Sequence, residues 1–154
     1  MLVISRAVRA DAEAILALQK LAYASEARIY NDWSLPPLTQ TIGSLLEEFG
    51  SSIVLKAVSS GHIVGSVRAT AKSGVCLIGR LVVHPDFQGK GIGSRLLREI
   101  ENDFPGVSGF ELFTGSKSEG NIRLYQRHGY SVTRTQVVSE RISLTYLHKV
   151  GSDH

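Results

Sequence analysis

The segment Leu81 to Leu97, LVVHPDFQGKGIGSRLL, decides the fold, because it joins a strand to a helix through Gly89, Gly91 and Gly93. A β-branched run precedes the glycines, and apolar residues at helical spacing follow them. Glycine permits positive φ and close approach to the backbone, and a helix N-terminus carries a partial positive charge. The segment therefore predicts a turn that binds an anion such as a pyrophosphate.

The glycine turn does not satisfy the two commonest nucleotide-binding motifs. A P-loop has Ser or Thr after its Lys, but Gly91 follows Lys90. The dinucleotide motif would need its last glycine at Ser94 or Leu96, depending on which glycine is counted first. A tight turn that only packs the helix stays open as an alternative at this point.

Three β-branched segments before the turn predict an antiparallel meander of strands over 52–58, 63–71 and 75–83. They are separated by Ser60-Gly61-His62 and Ser73-Gly74, which favour tight turns. Because the second loop has either two or three residues, the pattern leaves open whether Arg68 and Arg80 share a face of the sheet.

Hydrophobic periodicity predicts the remaining elements. A strand over 2–4 precedes a helix from Asp11 to near Ser25, and the segment 26–38 is a candidate substrate loop. The later elements are helices over 42–49, 92–104 and 118–128 and strands over 110–114, 130–137 and 141–149. This order predicts a mixed α/β sheet with one parallel β-α-β crossover.

Length and composition favour one domain over 1–150, with 151–154 as a flexible tail, since 43% of the 154 residues are apolar. A formal charge of +3 without basic runs argues against nucleic acid as a partner. Cys76 is the only cysteine and the five histidines lack metal-type spacing, so neither a disulfide nor a metal site is expected. Without a signal peptide or apolar span, we expect a cytoplasmic protein that does not bind membranes.

Two motifs resemble the GNAT superfamily of N-acetyltransferases. The acetyl-CoA signature of that family has the core Q/R-x-x-G-x-G/A, which Gln88, Gly91 and Gly93 match. The segment NIRLYQRHGY, residues 121–130, resembles the second signature, which Asn121 and Tyr125 match. The resemblance implies the GNAT fold, in which a mostly antiparallel sheet with one parallel crossover carries helices on both faces.

The resemblance also implies a site for acetyl-CoA. The backbone of Leu81 and Val83 would bind the pantetheine arm, because the family splays two strands apart there. Asn121 would bind the arm near the sulfur, and Tyr125 would lie beside the sulfur as proton donor. The pyrophosphate would be held by the backbone N–H groups of Gln88, Gly89, Lys90, Gly91, Gly93 and Ser94.

Local signals agree with a helix that carries Asn121 and Tyr125. Ser116 and Glu119 have the spacing of a capping box, and Gly129 favours a left-handed C-cap. Asn121 and Tyr125 then lie at i and i+4 on one face. A purely structural Tyr125 in the core is the alternative.

On the acceptor side the chain departs from the family pattern. Many family members have a carboxylate just before the pantetheine-binding residues, but Gly79 and Arg80 stand there in this chain. Glu26 is our candidate general base, with Asp32 as the other nearby carboxylate, and ordinary solvated charges are the alternative. If Arg68 and Arg80 share a face, they favour an acceptor with a carboxylate or phosphate.

The resulting hypothesis is an enzyme that moves acetyl from acetyl-CoA to a primary amine by direct attack. The acceptor is a small molecule or a peptide, and a homodimer stays open. The alternative is a non-catalytic acyl-CoA-binding or sensing module, which would keep the glycine turn but need no proton donor.

Overall fold

The computed structural model describes residues 1–151, which include the whole range 1–150 of the predicted domain. Gly151 donates its backbone N–H to the Ser108 carbonyl over 2.8 Å, so this first residue of the predicted tail is anchored. The rest of that tail, 152–154, lies outside the described residues.

A seven-stranded mixed sheet has the order β1-β2-β3-β4-β5-β7-β6. All neighbouring strands are antiparallel except β4 and β5, which confirms the predicted single parallel crossover. The strands are β1 (Leu2–Arg6), β2 (Ile53–Ser59), β3 (His62–Lys72), β4 (Val75–Val83), β5 (Gly109–Gly115), β6 (Ser131–Val137) and β7 (Ser143–Val150).

Helices cover both faces of the sheet, as predicted. They are α1 (Ala12–Tyr30), α2 (Pro36–Thr39), α3 (Ile42–Phe49), α4 (Ile92–Asn102) and α5 (Glu119–Arg127). Adjacent residues of β2 point to opposite faces. Val54 packs with α1 and α3, whereas Leu55 belongs to the larger core with α4 and α5.

The first helix is longer than the sequence pattern predicts. It continues past Ser25 to Tyr30 because Ala27 and Tyr30 are buried, and it ends at Asn31 in the left-handed conformation. Glu26 therefore lies on α1, and the prediction that it belongs to a loop over 26–38 is wrong. Only residues 31–35 connect α1 to α2.

Both hairpin turns of the meander have two residues. Ser60 and Gly61 have positive φ, as do Ser73 and Gly74, which is the geometry of type I′ turns. The second turn places Arg68 opposite Gly79 in the ladder between β3 and β4.

The strand β4 separates from β5 after a short parallel ladder. Their last paired residues are Leu77 and Glu111, and β5 continues with β7 alone on its other side. A bulge follows in β4, since the ladder with β3 resumes only at Val82 and Arg80 has φ of +52°. The edge of β4 from Ile78 onward is thus left without a strand partner toward β5, as the resemblance implied.

Candidate functional site

The glycine turn presents backbone to open space. Gly89 and Gly91 have φ of +78° and +80°, and a Cβ on either would meet no protein atom within 4 Å. Gly91 is also the N-cap residue of α4, which points the first N–H groups of that helix at the same space. The turn can therefore bind an anion without rearrangement.

A groove of about 410 Å³ runs from this turn toward the gap between β4 and β5. Its walls include most of the predicted cofactor residues: Leu81, Val83, Gln88, Gly89, Gly91, Gly93, Ser94 and Asn121. Lys90 and Tyr125 do not line the groove. The Lys90 ammonium lies 5.2 Å from the centre of the Phe87 ring instead.

A second cavity of about 300 Å³ lies beyond the separated strands and is mainly apolar. We call it the acceptor cavity because it includes Glu26 and Arg80, which the sequence analysis considered for the acceptor side. Its walls come from α1, the α1–α2 connection, α2, β4, β5, α5, the β6–β7 loop and β7. They include Leu35, Pro36, Ile78, Leu112, Phe113, Val138, Ile142 and Leu144. Arg141 links the β6–β7 loop to the α1–α2 connection, because its guanidinium donates a hydrogen bond to the Asn31 carbonyl over 2.8 Å. Tyr23, Glu26, Leu81 and Asn121 line both the groove and the acceptor cavity, so the two spaces meet there.

The helix that carries Asn121 and Tyr125 ends as predicted but begins differently. Gly129 has φ of +92°, and the N–H of Tyr130 bonds to the Tyr125 carbonyl, which is a Schellman cap. At the other end the capping-box prediction is wrong: Ser118 is the N-cap, and the Ser116 hydroxyl pairs with Thr145 at 2.9 Å.

Glu26 is fixed by the start of α5. The Ser118 hydroxyl donates to Glu26 Oε2 over 2.5 Å, and the Tyr30 hydroxyl lies 3.4 Å from the same Ser118 oxygen. Tyr30 also accepts the N–H of Lys117 over 2.8 Å. Gly115 makes room for this arrangement, because a Cβ there would collide with the Tyr30 hydroxyl.

The other candidate carboxylate, Asp32, points elsewhere. It lines neither cavity and accepts the N–H and the hydroxyl of Ser34 over 2.9 and 2.6 Å. These bonds lower the pKa of Asp32 below its usual value. Of the two predicted carboxylates, only Glu26 reaches the junction of groove and cavity.

Tyr125 belongs both to the core and to the wall of the acceptor cavity. Its ring lies in the larger core, 6.1 Å from that of Tyr130. The residue also lines the acceptor cavity. Burial, and then the nearby Tyr23 and Glu26, raise the pKa of Tyr125, so the phenol stays protonated at neutral pH. A protonated hydroxyl beside the junction can donate a proton.

The two arginines differ completely in their surroundings. Arg68 is buried and pairs with both oxygens of Glu48, from Nε over 2.9 Å and from Nη2 over 3.0 Å. Its other bonds go to Gln19 and Gln40, so it connects α1, α3 and the segment between α2 and α3. Arg80 lines the acceptor cavity and is close enough to influence the pKa of Arg68.

The sequence analysis did not identify Tyr23, Ser118 or the β6–β7 loop as parts of the site. Extending α1 to Tyr30 would have found Tyr23, because Tyr23, Glu26 and Tyr30 follow the spacing of one helix face. No local pattern marks Val138 or Ile142, which reach the cavity only through the pairing of β6 with β7.

No helix among residues 1–151 has the length and apolar character that a bilayer span requires. The same residues contain no group of three His, Cys, Asp or Glu side chains that could hold a metal ion.

Comparison with known proteins gives a consistent picture. The model of the acetyltransferase (GNAT) family matches residues 13–130. A curated relative, UPF0157 protein YqkA from Bacillus subtilis (strain 168), is 26% identical over 137 residues. The match covers 89% of this chain but 39% of that protein, so the chain spans well under half of its relative's length.

Solved structures share the fold at low sequence identity. An acetyltransferase of the GNAT family from Streptococcus pneumoniae has a TM-score of 0.79 at 20% identity, with 99% of this chain and 100% of that chain covered. The putative acetyltransferase yncA from Salmonella typhimurium, determined with its cofactor acetyl-CoA, has a TM-score of 0.80 at 23% identity over 99% and 95% of the two chains. The PaiA N-acetyltransferase from Thermoplasma acidophilum, in complex with coenzyme A, gives 0.79 at 18% over 97% and 99%.

Proposed function

The chain belongs to the GNAT family of acetyltransferases, and we propose that it moves an acetyl group from acetyl-CoA to a primary amine by direct attack. One observation carries the proposal: the groove at the glycine turn and the acceptor cavity meet at Tyr23, Glu26, Leu81 and Asn121. A protein that only bound acyl-CoA would need the groove but not a second cavity at its end.

The residues of the groove fit CoA. The free edge of β4 at Leu81 and Val83 offers backbone groups to the amides of a pantetheine arm, as an added strand would. Backbone N–H groups from Gln88 to Ser94 would hold the pyrophosphate, and Arg127 adds a positive charge to the groove wall. Bound acetyl-CoA supplies an acetyl group activated as a thioester.

Side chains at the junction have the properties that acetyl transfer needs. Glu26 would accept a proton from the acceptor ammonium, since an amine attacks only when neutral. Tyr125 would donate a proton to the departing sulfur, and Asn121 would bind the arm next to it. The Asn121 amide is oriented by its bond to Thr114 Oγ1 at 3.3 Å.

Direct attack is favoured over a covalent enzyme intermediate. Cys76, the only cysteine, is fully buried, and burial together with Glu101 raises its pKa to about 12. A thiol in that state is a poor nucleophile. We therefore expect the acceptor to reach the thioester itself, through the second cavity.

The experiment is to follow release of free thiol from acetyl-CoA with a panel of primary amines. We expect turnover that depends on both acetyl-CoA and the amine, and a raised melting temperature with CoA but not with NAD or ATP. If CoA raises the melting temperature and no amine supports thiol release, the acyl-CoA-binding module replaces the enzyme. If CoA has no effect either, the cofactor assignment fails as well.

A further inference from the structure

Within residues 1–151, Arg80 is a cation without a counterion. Its Nε is buried and has no hydrogen-bond partner in this part of the chain. No carboxylate within residues 1–151 forms an ion pair with its guanidinium, whereas neighbouring Arg68 has Glu48. Buried polar groups are normally satisfied, so an unpaired guanidinium in a cavity wall requires an explanation.

The bulge in β4 creates this situation. Arg80 has φ of +52°, a conformation that non-glycine residues rarely adopt, and Arg80 and Leu81 together oppose Val67. The residue lines the acceptor cavity and lies close enough to Tyr23 to influence its pKa. Backbone strain of this kind is found where a side chain has to be aimed at a functional site.

The charges of the acceptor cavity are few and opposite. Arg80 is the only cationic side chain among its described lining residues, and Glu26 is the only carboxylate. Most of the remaining wall is apolar. Such a cavity is complementary to a small molecule that carries one negative charge, one positive charge and an apolar body.

We infer that the acceptor is an amino acid with an apolar side chain, whose carboxylate Arg80 binds and whose ammonium faces Glu26. The inference rests on the proposed acetyl transfer and names its substrate class. A guanidinium binds a carboxylate bidentately. A phosphate ester would bring a second negative charge, for which the described wall of the cavity offers no second cation.

The transfer balances for this acceptor. The amine nitrogen forms the bond to the acetyl carbon as the carbon–sulfur bond breaks. Of the two protons that the ammonium loses, one ends on the sulfur by way of Tyr125, and the other passes through Glu26 to solvent. The products are the N-acetyl amino acid and CoA.

The test compares acceptors that differ only at the carboxylate. L-leucine, L-methionine and L-phenylalanine are compared with their amides in the thiol-release assay, with the full chain. We expect kcat/KM to favour at least one amino acid over its amide by about tenfold or more, the value of a charge-assisted hydrogen bond. In Arg80→Met the ratio of kcat/KM for the amino acid to kcat/KM for its amide should fall to about one. The change should come from a higher KM for the amino acid, with kcat little changed, and Arg80→Lys should restore part of the preference.

Arg98→Met is the matched control, because it removes the same charge from an exposed position on α4. It should keep the wild-type preference. Equal or better use of the amides by the wild type would overturn the inference while acetyl transfer itself stands. A parallel loss for both acceptors in Arg80→Met would make the residue structural and also overturn it.

Binding gives a readout that does not need turnover. In the presence of saturating CoA, L-leucine or one of the other two amino acids should raise the melting temperature of the wild type and not that of Arg80→Met. If none of the three does so, the inference fails even where the protein acetylates other amines. If an amino acid stabilises the protein but no thiol is released with any amine, the inferred ligand class holds and the proposed catalysis fails.

Discussion

The groove and the acceptor cavity are built in different ways. The groove depends on backbone: positive φ at Gly89 and Gly91, the N-terminus of α4 and the free edge of β4. The acceptor cavity depends on side chains that come from separate elements across the chain. The groove should therefore respond most to changes of backbone freedom, and the cavity to loss of single functional groups.

The largest effect is expected from Tyr125→Phe, in the cavity. Removing the hydroxyl leaves the ring and its packing, so CoA binding should stay the same while kcat falls by about 10²- to 10⁴-fold, the contribution of a general acid. The lower end is expected, because water can replace the donor. Steady-state kinetics with an accepted amine, together with melting curves with CoA, would check this.

Tyr130→Phe is the matched control for Tyr125→Phe. Tyr130 is buried in the same core, but its hydroxyl donates to Glu101 over 2.7 Å and lines neither cavity. Tyr130→Phe should lower the free energy of unfolding by about 1.5–3 kcal/mol without a specific loss of kcat. If the two variants behave alike, and chemistry limits turnover, Tyr125 is structural and not the proton donor.

The second-largest effect is expected in the groove. Gly91→Val should abolish CoA binding, because a β-branched side chain at φ of +80° is strained and would also fill the space that the anion needs. At about 100 times Kd, CoA should raise the wild-type free energy of unfolding by about 2.7 kcal/mol. The variant should show almost none of this gain in melting experiments.

Gly61→Val separates strain from lost contact. Gly61 has the same φ of +80° and equally open surroundings, but it lies in the turn between β2 and β3. It should lose similar stability and keep the full response to CoA. A normal response in Gly91→Val would show that the glycine turn only packs α4.

The smallest effect is expected at Ser118, which positions Glu26. Ser118→Ala removes a hydrogen bond to a carboxylate, worth about 1.5 kcal/mol, so kcat should fall about tenfold with CoA binding intact. Ser118→Thr, which keeps the hydroxyl, should recover most of the rate. Ser116→Ala is the control, since that hydroxyl bonds to Thr145 away from both cavities; an equal loss there would remove the special role of Ser118.

The elements around the groove could be predicted because their signals are local. Val75–Val83 was predicted with the observed bounds, and Gln88, Gly91 and Gly93 lie within six consecutive residues. Glycine positions and β-branched runs report directly on φ and on strand pairing. The register between Arg68 and Gly79 needed the structure, because it depends on the length of one loop.

The acceptor cavity could be predicted only in part. Glu26 was proposed in a loop, although the burial of Ala27 and Tyr30 against the rest of the protein extends α1 through it. Ser118 was missed because its contact with Glu26 joins residues 92 positions apart. The unpaired state of Arg80 depends on a bulge that no residue pattern in β4 reveals.

A crystal structure with bound CoA tests the central claim most directly, namely that the groove delivers the reactive sulfur to the acceptor cavity. We predict that the pantetheine arm lies along the edge of β4 at Leu81 and Val83, with the pyrophosphate at the glycine turn. The sulfur should then lie beside Asn121, at the mouth of the cavity that holds Tyr125 and Glu26. A CoA molecule bound elsewhere, or one whose sulfur points away from that cavity, would contradict the account.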